Sequence, residues 1–473
     1  MAKNKISIAF CCLTLITTVG AEEPTAQKDA ISIQPDTHMN IQNLLEEYLE
    51  DTGTPGAAVA YIEQGKTQLF CSGNMALNGK SVTEDTIFEI GSISKVFTTL
   101  ALMDMVSRKE VNLDDPIEKY LPEMRCPELD GKKITLRHLA THTSGIPRMP
   151  NNFSPKDPSN PYHDYTAQCM YDYLQSCTLS GVPGDKFEYS NIGMGLLGHI
   201  LSIQSKKSYE ELIQTLIKKQ LNMPNTMVRV NETRKANFST GHHLMQPVSY
   251  WDLTGFAGAG ALRSNIRDMA NFLAANMGVL KSPLNQTMQN CHENQFYPMP
   301  GFAVGFGWML SNSNSAEVIW HNGGTGGFRS YLGFNPKTQK GIVILSNSSD
   351  DWPDEFAQLM LDPDYKRPVI DKKLANSPEY LKQFAGSYEV VISSELPKQE
   401  LQISVYGKQL ASALSKGEVG MLYPESYGVF GVKGFPDGKV YCTFDDSGKI
   451  SKIEARLLSS ETLLWTATPN KAE

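Results

Sequence analysis

The sequence predicts an α+β sandwich, an antiparallel sheet flanked by helices with a mainly helical subdomain, followed by a small all-β domain at the C-terminal end. Three observations carry this prediction. Strand-like runs stand early, at Gly56–Ile62 and Thr67–Ser72, and return after position 303. A long stretch with helical spacing separates them, so the early and late strands belong in one sheet. From about position 380 short strands and turns replace the helical pattern.

In chain order, the first 21 residues come first. Lys3 and Lys5 precede an apolar run from Ile6 to Val19, and Val19-Gly20-Ala21 offers small residues for cleavage. This is a secretory signal pattern, too short for a membrane span, and it predicts an exported protein, periplasmic or secreted. Residues 22–37 are polar and read as a linker, and residues 38–375 as the main domain. Ile41, Leu44, Leu45, Tyr48 and Leu49 recur at helical spacing and predict a helix over Met39–Leu49. Gly56–Ile62 and Thr67–Ser72 form strands around a turn at Gln64-Gly65-Lys66. Later strands are expected at Val304–Leu310, Glu317–Trp320, Phe328–Phe334 and Gly341–Ser346, with a turn at Asn335-Pro336-Lys337. Residues 380–473 read as a small β-barrel domain. Its strands are expected at Ile403–Tyr406, Val429–Val432, Val440–Phe444 and Leu463–Ala467, and one of its turns at Pro436-Asp437-Gly438.

Bulk properties narrow the function. A chain of 473 residues exceeds one ordinary core. The net charge of −8, without any basic stripe, excludes a nucleic-acid partner. No run beyond the leader is long and apolar enough to span a bilayer. Six cysteines follow the leader: Cys71, Cys126, Cys169, Cys177, Cys291 and Cys442. No C-x-x-C and no His/Cys cluster occurs, so no metal site is expected, and the thiols are expected to be buried and free or to form one disulfide.

Three motifs carry chemistry. Gly91-Ser92-Ile93-Ser94-Lys95 holds an S-x-x-K at the start of a helix that is apolar nearly all round and therefore buried. Residues three apart share a helix face, so Lys95 reaches the Ser92 hydroxyl. A buried lysine loses proton affinity and serves as the base an attacking serine needs. Read alone, Ser92 is equally an N-cap and Lys95 a surface lysine. Against this, the helix is otherwise apolar. Tyr189-Ser190-Asn191 follows a Pro-Gly turn and precedes a helix. Tyr189 can relay a proton and Asn191 can hold a substrate amide, although helix capping alone also explains the segment. His321-Asn322-Gly323-Gly324 lies between two strands, where glycines bare the backbone N–H groups an oxyanion hole requires. A flexible hairpin loop is the plainer reading. His321 is a candidate cation or donor for a substrate carboxylate.

S-x-x-K, Y-x-N and H-x-G in this order resemble the serine β-lactamase and penicillin-binding protein superfamily. The likeness is nearest to its branch of class C β-lactamases, D-Ala-D-Ala carboxypeptidases and related esterases. Leu139-Ala-Thr-His-Thr-Ser-Gly-Ile-Pro147, Leu113-Asp-Asp-Pro116 and Gly260-Ala-Leu-Arg-Ser264 add to it, and it covers about 35–350. The tail from about 380 resembles a lipocalin-like domain appended to some members. The resemblance implies a β-lactamase/transpeptidase-like fold with no cofactor. It also implies an acyl-enzyme on Ser92, with proton work shared by Lys95 and Tyr189. Asn191 would hold the substrate amide, and the N–H groups of Ser92 and Gly324 would form the oxyanion hole. His321 would replace the family's lysine and Asn322 its threonine. The expected substrate is a β-lactam or a D-Ala-containing peptide. The alternatives are an esterase of the same fold and a cell-wall peptide or β-lactam binding protein without turnover. The oligomeric state is left open.

Two further patterns fail their context. Gly193-Met-Gly195-Leu-Leu-Gly198 follows no apolar strand, so it reads as small residues at a helix contact rather than a dinucleotide loop. His242-His243, adjacent in sequence, reads as structural.

Overall fold

The structure, a computed structural model, describes residues 40–312, 316–365, 370–391, 398–414, 419–432, 435–457 and 461–470. The expected leader and linker over 1–37 lie outside the described residues. Contacts divide the chain into two units, one of residues 40–49 and 54–365, the other of 50–53 and the chain beyond Tyr365.

The first unit is built on an eight-stranded sheet in which every pairing is antiparallel. Named by first residue, the strands run in the order Lys66, Gly56, Lys340, Arg329, Glu317, Met309, Phe302, Phe296. Gly56–Glu63 lies beside Lys340–Ser346, with Ala57 opposite Ser346, so the early and late strands share one sheet. Gly56–Glu63 is apolar without alternation because both of its faces are covered. Ala57, Val59 and Tyr61 pack with Leu45, Tyr48, Trp352 and Phe356 on one side. Ala58, Ala60 and Ile62 join the larger core on the other, which holds Phe97, Leu100, Phe272 and Leu273.

The expected strand Val304–Leu310 is a hairpin instead, Phe302–Val304 paired with Met309–Asn312. Gly307 has φ +72°, and a Cβ there would stand 2.6 Å from Thr99 Oγ1. The chain therefore turns inside an apolar run. Glu317–Gly324 continues as a strand through the glycines expected to form a loop. Phe296–Met299, at the sheet edge, lacked a strand pattern in the sequence.

The second unit holds a closed barrel of eight antiparallel strands, Gly386–Val391 through Leu463–Pro469, whose first and last members pair at Tyr388 and Pro469. Tyr380 and Phe384 pack with Phe430, Val440 and Ile453 in its core. Pro436-Asp437-Gly438, expected as a turn, lies within the strand Phe435–Phe444.

Candidate active site

Gly91–Ile93 forms a single 3₁₀ turn that leads into the helix Ser94–Ser107. Ser92 therefore precedes the α-helix rather than standing in its first turn. No side chain caps this helix start, so the hydroxyl is not spent on capping. The helix is buried from Ser94 to Met103. Its polar residues are each tied down: Leu262 N–H donates to Ser94 Oγ at 3.0 Å, and Thr99 Oγ1 donates to Phe306 O at 2.8 Å.

Lys95 has no exposed surface. Its Nζ donates to Ser92 Oγ at 3.0 Å, Asn191 Oδ1 at 2.9 Å and Ala259 O at 2.7 Å. It also stands 4.8 Å from the Tyr189 ring centroid. Burial drives the Lys95 amine well below the ordinary lysine range, and the Arg148 charge adds to the effect. Among the described residues no carboxylate neutralises it; its partners are a hydroxyl, an amide oxygen and a carbonyl.

The Tyr189–Asn191 motif is presented by two segments. Ser190 Oγ accepts from Gly193 N–H at 2.9 Å and caps the helix Asn191–Ser205, which leaves Asn191 free of that task. Within that helix Gly198 lies against Gly258, so the glycines serve helix contact. The other segment is His142–Pro147. His142, with φ +57°, accepts the Ser190 N–H at Nδ1, 3.1 Å away, and its carbonyl accepts from Glu188 N–H at 2.7 Å. Its ring lies 4.4 Å from that of Tyr189. Arg148 follows directly, with its guanidinium carbon 5.0 Å from the centroid of the Tyr189 ring.

The strand Glu317–Gly324 brings the third motif. Its residues alternate in direction, as a strand requires. His321 points into the site, 6.2 Å between ring centroids from Tyr189, and is 2% exposed. Burial, then the charge at Lys95, push its imidazole down to about 3. It is neutral near pH 7, which removes the cation of the two roles expected for it and leaves that of a hydrogen-bond donor. Its Nδ1 pairs with Asn322 O. Asn322 points the other way, where its Nδ2 donates to Asp354 Oδ1 at 2.5 Å, and Asp354 also pairs with Arg329. Its side chain thus leaves the cleft, a second correction. Gly323 is packed on Ile90 O, 2.1 Å from where a Cβ would stand.

Gly324 meets the serine turn. Gly91 has φ +49°, and a Cβ there would lie 2.7 Å from Gly324 N. Thr325 N–H donates to Phe328 O, so the opposed pair Gly324 and Arg329 falls at a non-hydrogen-bonded ladder position. The Gly324 N–H is left directed away from the ladder. Gly91, Ser92, Asn191, Gly324 and Thr325 line an open cleft together with Tyr162, Trp251, Leu253 and Phe256.

The structure thus brings Ser92, Lys95, Tyr189, Asn191, His321 and Gly324 together and turns Asn322 away. Sequence reasoning missed His142, Arg148 and the aromatic wall. His142 lay within a quoted segment with no role assigned. Arg148 is a lone arginine in a Pro-rich loop and carries no local signal. Tyr162 and Trp251 come from loops far apart in sequence, joined by a ring contact at 5.1 Å. All six described cysteines are free. His242 and His243 bond to Asn347 O and Ser349 Oγ, a structural use.

The comparisons identify the family. The β-lactamase family model matches residues 41–363, so the chain belongs to the β-lactamase family and is a serine hydrolase of that class. A β-lactamase of Yersinia enterocolitica is 28% identical over 71% of this chain and 93% of its own length. Protein flp of Staphylococcus aureus strain MRSA252 is 26% identical over 75% of this chain and 71% of its own length. A solved class C β-lactamase superposes with TM-score 0.60 at 25% identity, over 69% of this chain and 96% of that one.

Proposed function

We propose that this protein hydrolyses an amide or ester through an acyl-enzyme on Ser92, with a β-lactam or a D-Ala-containing peptide as the substrate class. The observation that carries the reading is the fully buried Lys95 amine 3.0 Å from Ser92 Oγ, without a carboxylate partner. Burial favours the neutral amine, which takes the serine proton as Oγ bonds to the carbonyl carbon. The N–H groups of Ser92 and Gly324 bind the oxyanion. Asn191 holds the substrate amide through Nδ2, since its Oδ1 is engaged by Lys95. The proton passes through Lys95 and Tyr189 to the leaving nitrogen or oxygen as its bond to carbon breaks. Water then adds to the ester carbonyl carbon, the bond from that carbon to Ser92 Oγ breaks to release the acid, and the proton given up by the water returns to Oγ through Lys95 and Tyr189.

The neutral His321 favours a second reading, an esterase of the same fold, because the strand supplies no cation for a β-lactam or peptide carboxylate. Comparing nitrocefin, a D-Ala-D-Ala peptide and p-nitrophenyl butyrate separates the readings, each beside Ser92→Ala. Turnover of either of the first two, lost in the variant, supports the proposal. A rate confined to the butyrate supports the esterase. Adduct without turnover supports a binding protein, and no reaction with any of the three rejects the hydrolase.

We also propose that the protein is exported, on the leader pattern at Lys3–Ala21. N-terminal sequencing of protein from the exported fraction checks this; a chain beginning at Met1 contradicts it.

A further inference from the structure

We propose that Arg148 is the cation that selects substrates bearing a carboxylate, the task His321 was expected to perform. The inference rests on the Ser92 hydrolase reading. His321 is 2% exposed and turned inward, and Asn322 is engaged by Asp354, so the strand edge presents no charge to the cleft. Tyr162, Trp251, Leu253 and Phe256, which also line the cleft, carry no charge at neutral pH. A substrate carboxylate bound in these surroundings needs a positive partner from elsewhere.

Arg148 meets the requirement by position. It is solvent-exposed, and its guanidinium carbon is 5.0 Å from the centroid of the Tyr189 ring. Its charge is felt at Lys95, His142 and Tyr162, and Tyr162 lines the cleft. Its carbonyl accepts the Asn191 N–H at 3.0 Å, which fixes its backbone to the substrate-holding motif. Two other basic residues near these loops are committed, Arg137 to Asp114 and Lys186 to Glu188. Among the described residues no carboxylate pairs with Arg148. A guanidinium lying on a ring uses its face and keeps its edge N–H donors free, in the fork geometry that fits a carboxylate.

The test uses two aryl esters of one acyl group, 3-acyloxybenzoic acid and its methyl ester, with the full chain at the pH of maximal rate. The readout is the ratio of kcat/KM for the acid over that for the methyl ester. In Arg148→Gln the ratio should fall by about tenfold to hundredfold, mainly through KM, as the loss of a charged hydrogen-bond partner predicts. Arg148→Lys should keep part of it. An unchanged ratio overturns the inference, and so does a proportional loss on both esters, which would mark Arg148 as a group that only tunes Lys95 and Tyr189. A wild type that cleaves neither ester while labelling at Ser92 with a fluorophosphonate rejects a role in ester selection and leaves the nucleophile standing. Absence of both cleavage and labelling rejects the hydrolase reading itself.

Discussion

At the scale of single residues, the account turns on what burial does to a lysine. Burial holds the amine well below its ordinary range, and the proposed mechanism takes the neutral form as the base. Lowering the pH protonates it, so kcat/KM should fall as the pH drops through the Lys95 pKa and level off above it. Lys95→Arg, always protonated, should cost about 10²–10⁴-fold in kcat with the fold intact by circular dichroism. A pH profile without an acidic limb would contradict the assignment. Asn322 makes the opposite case. Its bond to Asp354 predicts that Asn322→Ala lowers stability by about 1–3 kcal/mol while kcat/KM changes little; a large rise in KM would restore it to the substrate site. The convergence of Ser92, Lys95 and Tyr189 was legible because each residue type has a chemical reason at its spacing. The direction of Asn322 was not, since a strand's two faces exchange with a shift of one residue. Neither was the neutral state of His321, which depends on burial by residues distant in sequence.

At the scale of elements, the serine turn is fitted to a neighbouring strand. Gly91 combines φ +49° with a Cβ position 2.7 Å from Gly324 N. Gly91→Ala should strain the turn and push the strand edge away, with a stability loss of about 1–3 kcal/mol and a larger fractional loss of kcat. Equal activity in the variant would show that the two N–H groups are not positioned by this contact. Behind the turn, Phe97 stacks on Phe272 with centroids 4.0 Å apart and a 24° interplanar angle. Phe97→Ala should cost about 3–5 kcal/mol in urea unfolding through the cavity it leaves. Sequence periodicity found the nucleophile helix, because an all-round apolar surface is unambiguous. It missed the hairpin at Gly305–Gly307, where an apolar run hid a turn enforced by the closeness of Thr99. In the barrel, Gln409–Leu414 and Ile450–Leu457 escaped notice because Ala, Ser, Lys and Glu are weak strand formers. Pairing with neighbours, not local preference, makes them strands.

At the scale of the whole molecule, the first unit closes by joining strands nearly 300 residues apart, as in Ala57 opposite Ser346. The order of early strands, helices and late strands made that closure legible, whereas strand order in the sheet was not. His142 and His321 are buried and His292 is largely shielded from solvent; desolvation lowers His292 and His321 to about 3 and His142 well below its ordinary value. Their ordinary value in an unfolded chain is near 6.5. Between these values the unfolded state binds more protons, so stability falls on acidification from about pH 6.5 towards pH 3, by roughly 1.4 kcal/mol per histidine per pH unit. His292 bonds to Asn276 Oδ1 and stands away from Ser92 chemistry. His292→Gln should flatten the decline in urea stability between pH 6 and pH 4, and an unaltered slope would place the acid sensitivity elsewhere. The central claim is tested most directly by intact-mass and peptide-mapping analysis of the folded chain after reaction with a penicillin and, separately, with a fluorophosphonate. The account predicts one adduct, on Ser92, absent from Ser92→Ala and slow to form in Lys95→Arg. No adduct on the folded wild type, or an adduct that persists in Ser92→Ala, would contradict it.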